Sequence, residues 1–290
     1  MKIVFQSQLS KRALGCVAAC GLAAALLASC GGQTSSSPAS NGSGQNAGGS
    51  GGGGAPILTM GGAYQGSLNN SDFVSFLTPS PELNWAALYY LQTNGNIGIY
   101  PDIYRGTLGN VTASSANIAS LTAYQFGDQL STGSASISGA SASSYQVALN
   151  GIGLTNHISN PTFNAAAITS YAVLPGTWTG RLTDNKGASV DALSLTFNNA
   201  GALTSSVSYA NCPFTLTLAL ASASSNPYYT ARLDIPPTTG CTRSQLNNFQ
   251  ATVLTGIGFI HDSPATGRSK RLEIILTDST GSGISFRGDQ

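Results

Sequence analysis

The feature that most constrains the fold is an alternation of apolar and polar residues over short runs. Segments 193–197, 215–220 and 272–276 each place an apolar residue at every second position. Because side chains alternate across a strand, such a run has one face for a core and one for solvent, as in antiparallel sheets. Glycine, asparagine, serine and proline separate the runs, which is typical of turns. The sequence predicts an all-β antiparallel meander, and its best helix candidate is 164–173, which Pro175 would end.

One predicted strand is apolar on both faces. In segment 84–92, Trp85 and Tyr89 lie on one face, and Leu88 and Tyr90 lie on the other. A strand that is covered on both sides has this composition. We therefore expect this strand to be central, with packed neighbours on each side.

A seven-residue motif occurs twice and divides the folded part of the chain. GAYQGSL at 62–68 is echoed by GTWTGRL at 176–182, and each copy places an aromatic residue between glycines at the start of a predicted strand. Internal repeats of this kind indicate similar structural units. We predict two packed modules, barrel-like or sandwich-like, at 57–155 and 176–290, with a connector at 156–175. The sequence is compatible with two separate modules and with one merged barrel.

The first 29 residues are organised like a bacterial lipoprotein signal peptide. Lys2, Lys11 and Arg12 precede an alanine-rich apolar run that ends at Leu27-Ala28-Ser29-Cys30. A basic start, a short apolar core and small residues before the break are typical of a secretory signal. The last four residues resemble a lipobox, which implies a lipidated Cys30, and the glycine that follows implies sorting to the outer membrane. A plain secreted protein is the alternative.

Residues 30–56 are predicted to form the lipidated cysteine and a flexible tether. This stretch is dominated by glycine and serine and has no hydrophobic period. Such a composition cannot bury enough apolar surface to offset the entropy of ordering it. A glycine-rich coil of about 25 residues reaches roughly 25–30 Å, which would hold the folded part clear of the membrane surface.

The chain is unusually poor in charge. Only 8% of its residues are charged, with 12 Lys and Arg against 11 Asp and Glu, whereas ordinary soluble domains have about 25%. Non-specific affinity for nucleic acid comes from cations that neutralise phosphates. A nucleic-acid partner is therefore excluded. The first module has especially few charges, so we expect any recognition surface there.

The cysteines of the folded part form one pair. Cys16 and Cys20 fall inside the predicted signal, which leaves Cys212 and Cys241. An even pair in an exported protein predicts a disulfide. A metal site would need further ligands at suitable spacing, which the two histidines do not supply. No metal or cofactor is therefore expected.

No catalytic constellation stands out. His261 is followed by Asp262 in a serine-rich chain, but no nucleophile turn is present, and we interpret His261 as a solvated strand end. His157 lies in a polar connection and is interpreted as a loop residue. Glu82 and Glu273 are the only glutamates and do not form a paired-carboxylate site. We expect no catalytic residues.

Aromatic residues crowd the first module and allow two interpretations. They could line a cavity for a small apolar ligand, as in some barrels, or fill the core of a strand-rich module, which we favour because aromatics are ordinary strand residues. The candidates for ligand binding are Trp85, Tyr89, Tyr90 and Tyr124.

Several short features carry a family resemblance. They are the tether, the G-x-[Tyr/Trp]-x-G openings, the cysteine pair and the ending GISFRG at 283–288. In these features the chain resembles uncharacterised proteobacterial outer-membrane lipoproteins that carry a β-barrel. It is more distantly similar to the barrels of transferrin-binding-type surface lipoproteins. The resemblance implies a β-barrel with a binding or structural role, because fold alone does not fix function.

These patterns lead to one functional expectation with two alternatives. We expect a non-enzymatic outer-membrane lipoprotein that presents its β domain for binding or surface interaction. The alternatives are a lipocalin-like carrier of a small hydrophobic ligand and an envelope hydrolase. The expected partners are the membrane, through the lipid anchor, and a protein or small hydrophobic ligand.

Overall fold

The computed structural model describes residues 61–290 with gaps at 69–70, 79–83, 94–95, 126–128, 142, 154–160, 186–188, 210–211, 223–225 and 237–252. The predicted signal peptide, Cys30 and tether lie outside the described residues. All regular secondary structure in the described part is β-strand, which confirms the all-β prediction. No helix there is long and apolar enough to cross a membrane.

The first sheet is a closed antiparallel barrel of eight strands. Each strand pairs with the next, and β1 pairs with β8 to close the barrel. The strands are β1 (Gly62–Leu68), β2 (Ser71–Leu77), β3 (Asn84–Thr93), β4 (Asn96–Thr107), β5 (Ala116–Gln125), β6 (Gln129–Ser138), β7 (Ser144–Asn150) and β8 (Thr162–Ile168).

The prediction of a helix over 164–173 is wrong. This stretch lies in β8 and in the two-residue strand β9 (Ser170–Tyr171), which pairs with a strand of the second sheet. Phe163 and Ala165 are buried while Asn164 is exposed, which is the period of a strand. Pairing with both β1 and β7 outweighs the helix propensity of three consecutive alanines. The barrel therefore continues past residue 155 into the stretch expected to be a connector.

The second sheet is curled but not closed, because its two edge strands do not pair with each other. Its order is β11-β10-β18-β17-β16-β15-β14, and a separate pair is formed by β12 and β13. The strands are β10 (Gly176–Asp184), β11 (Ser189–Phe197), β12 (Ser208–Tyr209), β13 (Cys212–Pro213), β14 (Thr215–Ser222), β15 (Tyr228–Asp234), β16 (Val253–Asp262), β17 (Lys270–Thr277) and β18 (Gly283–Asp289).

The two edges of this second sheet are joined by the segment between β11 and β12. The Thr204 amide donates to the Thr196 carbonyl of β11 at 2.8 Å. The Leu203 amide donates to the Leu216 carbonyl of β14 at 3.1 Å. The second sheet is thus an incomplete barrel, and its first strand, β10, pairs with its last strand, β18, as β1 does with β8.

The repeated seven-residue motif occupies equivalent places in the two sheets. It forms β1 in the barrel and begins β10 in the second sheet, and its aromatic residues, Tyr64 and Trp178, are buried in the respective cores. A Cβ atom at Gly66 would collide with the Asn164 carbonyl of β8, and one at Gly180 would collide with the Arg287 carbonyl of β18. Glycine is needed at both positions because the first and last strands approach closely there.

Side chains fill the centre of the barrel. Phe73 and Phe163 stack with ring centroids 4.3 Å apart, and Tyr64 and Tyr145 meet edge to face at 4.6 Å. An eight-stranded barrel is just wide enough for such packing. Strand β3 sends alternate residues into this core and into a second core outside the barrel, which confirms the prediction of a central strand covered on both faces.

Candidate functional site

The second core on the outer face of β3 joins the barrel to the second sheet. Phe76 of β2 lies against Tyr228 of β15 and Phe259 of β16, with ring centroids 5.1 and 5.5 Å away. Leu88 of β3 is fully buried in the same cluster, together with Ile275 of β17. Apolar side chains packed this closely hold the two sheets in a fixed arrangement.

A cluster of charged residues lies in the same interface. Glu273 of β17 is fully buried and accepts hydrogen bonds from the Tyr90 hydroxyl and from Arg287 Nε, both at 2.7 Å. The Arg287 guanidinium lies 3.5 Å from the centre of the Tyr90 ring and 3.3 Å from an Asp72 carboxylate oxygen. Two strands of each sheet therefore contribute to one network of ion pairs and hydrogen bonds.

His261 belongs to this interface, so its interpretation as a solvated strand end is wrong. Its side chain is 4% exposed, and Nε2 lies 3.7 Å from Glu273 Oε1, which is beyond hydrogen-bond length. Nδ1 lies 2.8 Å from the Asp262 backbone oxygen and donates to it, because a carbonyl can only accept. His261 is buried because it lies on the same face of β16 as Phe259, which packs against the barrel.

The electrostatics of the cluster keep Glu273 ionised. Burial alone would raise the pKa of the Glu273 carboxyl, but the charge of Arg287 and the hydrogen bond from Tyr90 hold it below its ordinary value. Burial is also the main reason that the pKa of Tyr90 lies well above its ordinary value. Tyr90 therefore remains a hydrogen-bond donor to the Glu273 carboxylate.

Beside this interface the two sheets leave a cleft of about 1060 Å³. This is slightly above the usual size range of small-molecule pockets, about 300–1,000 Å³. Strands β3, β4 and β5 form one wall, and β14 to β17 form the other. Ten of the lining residues carry a hydroxyl group, and these include Thr107, Ser120 and Thr122 of the barrel and Thr217, Thr230, Thr255 and Thr277 of the second sheet.

Three threonines of the second wall lie in a row with Arg232. Thr217, Arg232, Thr255 and Thr277 are successive register partners across β14, β15, β16 and β17, so their side chains share one face of the sheet. Opposite them, half-buried Arg105 of β4 crosses the cleft and donates from Nη1 to Thr277 Oγ1 at 2.7 Å. The cleft thus offers hydroxyl groups and guanidinium groups to a ligand.

The four aromatic residues predicted to bind a ligand do not converge on one cavity. Trp85 and Tyr89 are fully buried in the core of the barrel, where Trp85 Nε1 donates to the Tyr145 hydroxyl at 3.1 Å. Tyr90 lies in the charged cluster. Tyr124 lines the cleft at its edge, and its hydroxyl donates to the Asp278 carbonyl at 2.8 Å. Trp85 also borders the cleft.

Several other predicted site residues lie outside the described part of the chain. Cys212 is buried in β13, but Cys241 lies outside the described part, so the disulfide stays a prediction. His157 and Glu82 lie outside it as well. Among the described residues, no group of three or more His, Cys, Asp or Glu side chains is placed to hold a metal ion.

Comparison of the chain with protein-family models, with curated proteins and with solved structures gives no match. The resemblance to outer-membrane lipoproteins therefore stays a prediction.

The sequence interpretation missed Arg105 and the charged cluster. One signal was present for the cluster: Ile275 makes the second face of 272–276 partly apolar, and a carboxylate such as Glu273 on a buried face needs a buried partner. No comparable signal marks Arg105. Its neighbours Thr255 and Thr277 lie far along the chain, and only the packing of the two sheets brings them together.

Proposed function

We propose that this protein is a non-enzymatic lipoprotein of the outer membrane that binds a ligand in the cleft between its barrel and its second sheet. The observation that carries the proposal is the cleft itself, with walls from two sheets whose packing is fixed by a shared core. A preformed concave site avoids the cost of ordering a surface on binding.

The membrane part of the proposal rests on the sequence. The lipobox at residues 27–30 and the uncharged glycine- and serine-rich stretch after it support a lipid anchor followed by a tether. Metabolic labelling with a radioactive fatty acid tests this: the wild-type chain takes up label and fractionates with outer membrane, whereas Cys30→Ser does neither. Label that persists in Cys30→Ser contradicts the assignment of Cys30.

A non-enzymatic role is supported by the position of His261. A general base must come within hydrogen-bond reach of its substrate. His261 is nearly inaccessible, and it is not among the residues that line the cleft. Its nearest carboxylate, Glu273, is already occupied by Arg287 and Tyr90.

Carriage of a small hydrophobic molecule inside the barrel has less support. A carrier needs open space at the centre of the barrel, but Phe73, Trp85, Tyr89, Tyr104 and Phe163 are fully buried and packed there. The cleft outside the barrel, in contrast, has open space for a ligand.

Native mass spectrometry of protein purified from its own envelope tests the cleft. We expect a bound species on the wild type that is lost in Thr230→Trp, because Thr230 is an exposed cleft residue and an indole there obstructs the site. Thr162→Trp, at an exposed position on β8 outside the cleft lining, is the matched control and retains the species. A wild type without any bound species, or a species that survives in Thr230→Trp, contradicts the proposed function.

A further inference from the structure

The arginines of the described strands differ in their electrostatic partners. Four of the five pair with a carboxylate: Arg181 with Asp191, Arg232 with Asp234, Arg271 with Asp289 and Arg287 with Glu273. Arg105 is the fifth, and within the described part of the chain no carboxylate lies within ion-pair distance of it. It is also the arginine that reaches across the cleft.

Arg105 is held in place by neutral groups. Its Nη1 donates to Thr277 Oγ1 at 2.7 Å and to the Thr255 carbonyl at 3.1 Å. Its register partners on the neighbouring strands, Ala86 and Thr122, are uncharged. Burial lowers the pKa of the Arg105 guanidinium, because no carboxylate offsets the cost of desolvating the cation. A guanidinium has five N–H donors, so those on Nε and Nη2 remain for a ligand.

Two acidic groups come into question as partners, Asp278 in the cleft lining and Asp234 beside the lining residue Arg232, and both already accept hydrogen bonds. Asp234 accepts two hydrogen bonds from Arg232, at 2.9 and 2.7 Å. Asp278 accepts from the backbone amides of Thr280 and Ser282, at 3.0 and 2.7 Å. Neither carboxylate therefore serves as a counter-ion for Arg105 in this structure.

We propose that Arg105 makes the cleft a site for a carboxylate-bearing, hydroxyl-rich ligand, an acidic oligosaccharide by chemical class. This inference rests on the proposed role of the cleft as a ligand site. A carboxylate takes a bidentate hydrogen bond from a guanidinium and supplies the missing negative charge. Threonine hydroxyls both donate and accept, so the row on the second wall matches the hydroxyl groups of a sugar chain.

The backbone of the walls favours a saccharide over an extended peptide. A peptide that binds by strand addition needs a free row of backbone amides and carbonyls. Strands β15, β16 and β17 are paired on both sides, so they turn only their faces toward the cleft. The outer edge of β14 is bridged by residues 201–203. Side-chain hydroxyls and guanidinium groups are therefore the polar groups that this wall offers.

Calorimetric titration of the full-length mature chain tests the ligand class. The probes are tetragalacturonate and its methyl ester, which has the same sugars without the charges. We expect the acid to bind, the ester to bind at least roughly tenfold more weakly, and Arg105→Gln to weaken binding of the acid by roughly ten- to a hundredfold. Arg181→Gln removes an arginine that already has a carboxylate partner and should bind like the wild type. High salt should weaken binding of the acid and not of the ester.

Three outcomes overturn the inference: equal binding of acid and ester, unchanged binding by Arg105→Gln, or tighter binding of a glutamate-rich peptide than of tetragalacturonate. Absence of binding by both sugars overturns it too. Ligand binding in the cleft is tested apart from this, since that part of the proposed function fails if the native mass spectrum gives no species that depends on the cleft. If Arg105→Gln does not fold, comparing the binding of acid and ester to the wild type still shows whether the carboxylates of the ligand are recognised.

Discussion

Glu273 links the two sheets through the Tyr90 hydroxyl and pairs with Arg287 of its own sheet. Glu273→Gln removes its charge and leaves Arg287, whose side chain is 20% exposed, with half-exposed Asp72 as its remaining ion-pair partner. Breaking a buried ion pair from one side costs about 3–5 kcal/mol. We therefore expect the free energy of unfolding of Glu273→Gln at pH 7 to fall by about that amount, measured by urea denaturation.

The matched control is Asp191→Asn, which also converts a carboxylate beside an arginine into an amide. Asp191 is 63% exposed, so its ion pair with Arg181 is screened by solvent, and the loss should be at most about 1 kcal/mol. Equal losses in the two variants would mean that burial of Glu273 has no energetic role.

The same residue predicts a dependence on pH. The pKa of Glu273 is lowered in the folded protein, so its stabilisation is complete above the ordinary value of 4.5 and is lost as pH falls through the lower folded-state pKa. The gap in unfolding free energy between the wild type and Glu273→Gln should therefore narrow below about pH 4.5. Urea denaturation at pH 7, 5 and 3 measures it, and a gap that widens toward pH 3 contradicts the assignment.

Single residues were the hardest part to predict from the sequence. Burial of Glu273 and His261 depends on the contact between β2 and β3 of the barrel and β16 to β18 of the second sheet, and no local pattern encodes this contact. For the same reason Arg105 looks like any surface arginine until Thr255 and Thr277 are placed opposite it.

At the scale of elements, the strand that opens each sheet must lie close to the strand that ends it. Gly66→Ala and Gly180→Ala each place a methyl group against backbone atoms of β8 or β18, which cannot move aside as a flexible side chain would. Overpacking of this kind typically costs about 1–3 kcal/mol. We expect a loss of this size for each variant in thermal and urea unfolding.

Gly109→Ala serves as the control for these variants. A Cβ atom at Gly109 would have Asn117 O, at 3.8 Å, as its nearest neighbour, which is ordinary van der Waals contact. Its unfolding free energy should stay within about 0.5 kcal/mol of the wild type. If Gly66→Ala is equally mild, the close approach of β1 and β8 is not a constraint on stability.

Elements were predicted better than residues because their signals are local. The two apolar faces of β3 and the repeated glycine–aromatic motif are readable in the chain itself. Strand β8 was missed because three consecutive alanines hide its alternation, and its identity comes from its two partners in the barrel. The bridging segment between β11 and β12 has only isolated pairings, and they lack a periodic signature.

At the scale of the whole molecule, the described part of the chain behaves as one packed body rather than as two independent sheets. The core between them contains fully buried Phe76, Leu88, Phe259 and Ile275, which no separated sheet could keep from water. The charged cluster adds a penalty for separation, since Glu273 would lose the hydrogen bond from Tyr90 and Asp72 would lose its ion pair with Arg287.

The two tryptophans of the chain allow this unity to be measured. Trp85 lies in the barrel core and Trp178 in the core of the second sheet, and both are fully buried. Trp85→Phe and Trp178→Phe each leave one fluorescent reporter, and cooperative unfolding predicts coincident urea transitions from the two.

The stricter test adds Phe163→Ala, a truncation inside the barrel that costs about 3–5 kcal/mol. In one cooperative body this cost lowers the midpoint reported by Trp178 as much as the midpoint reported by Trp85, whereas a Trp178 transition that does not move shows that the sheets unfold separately.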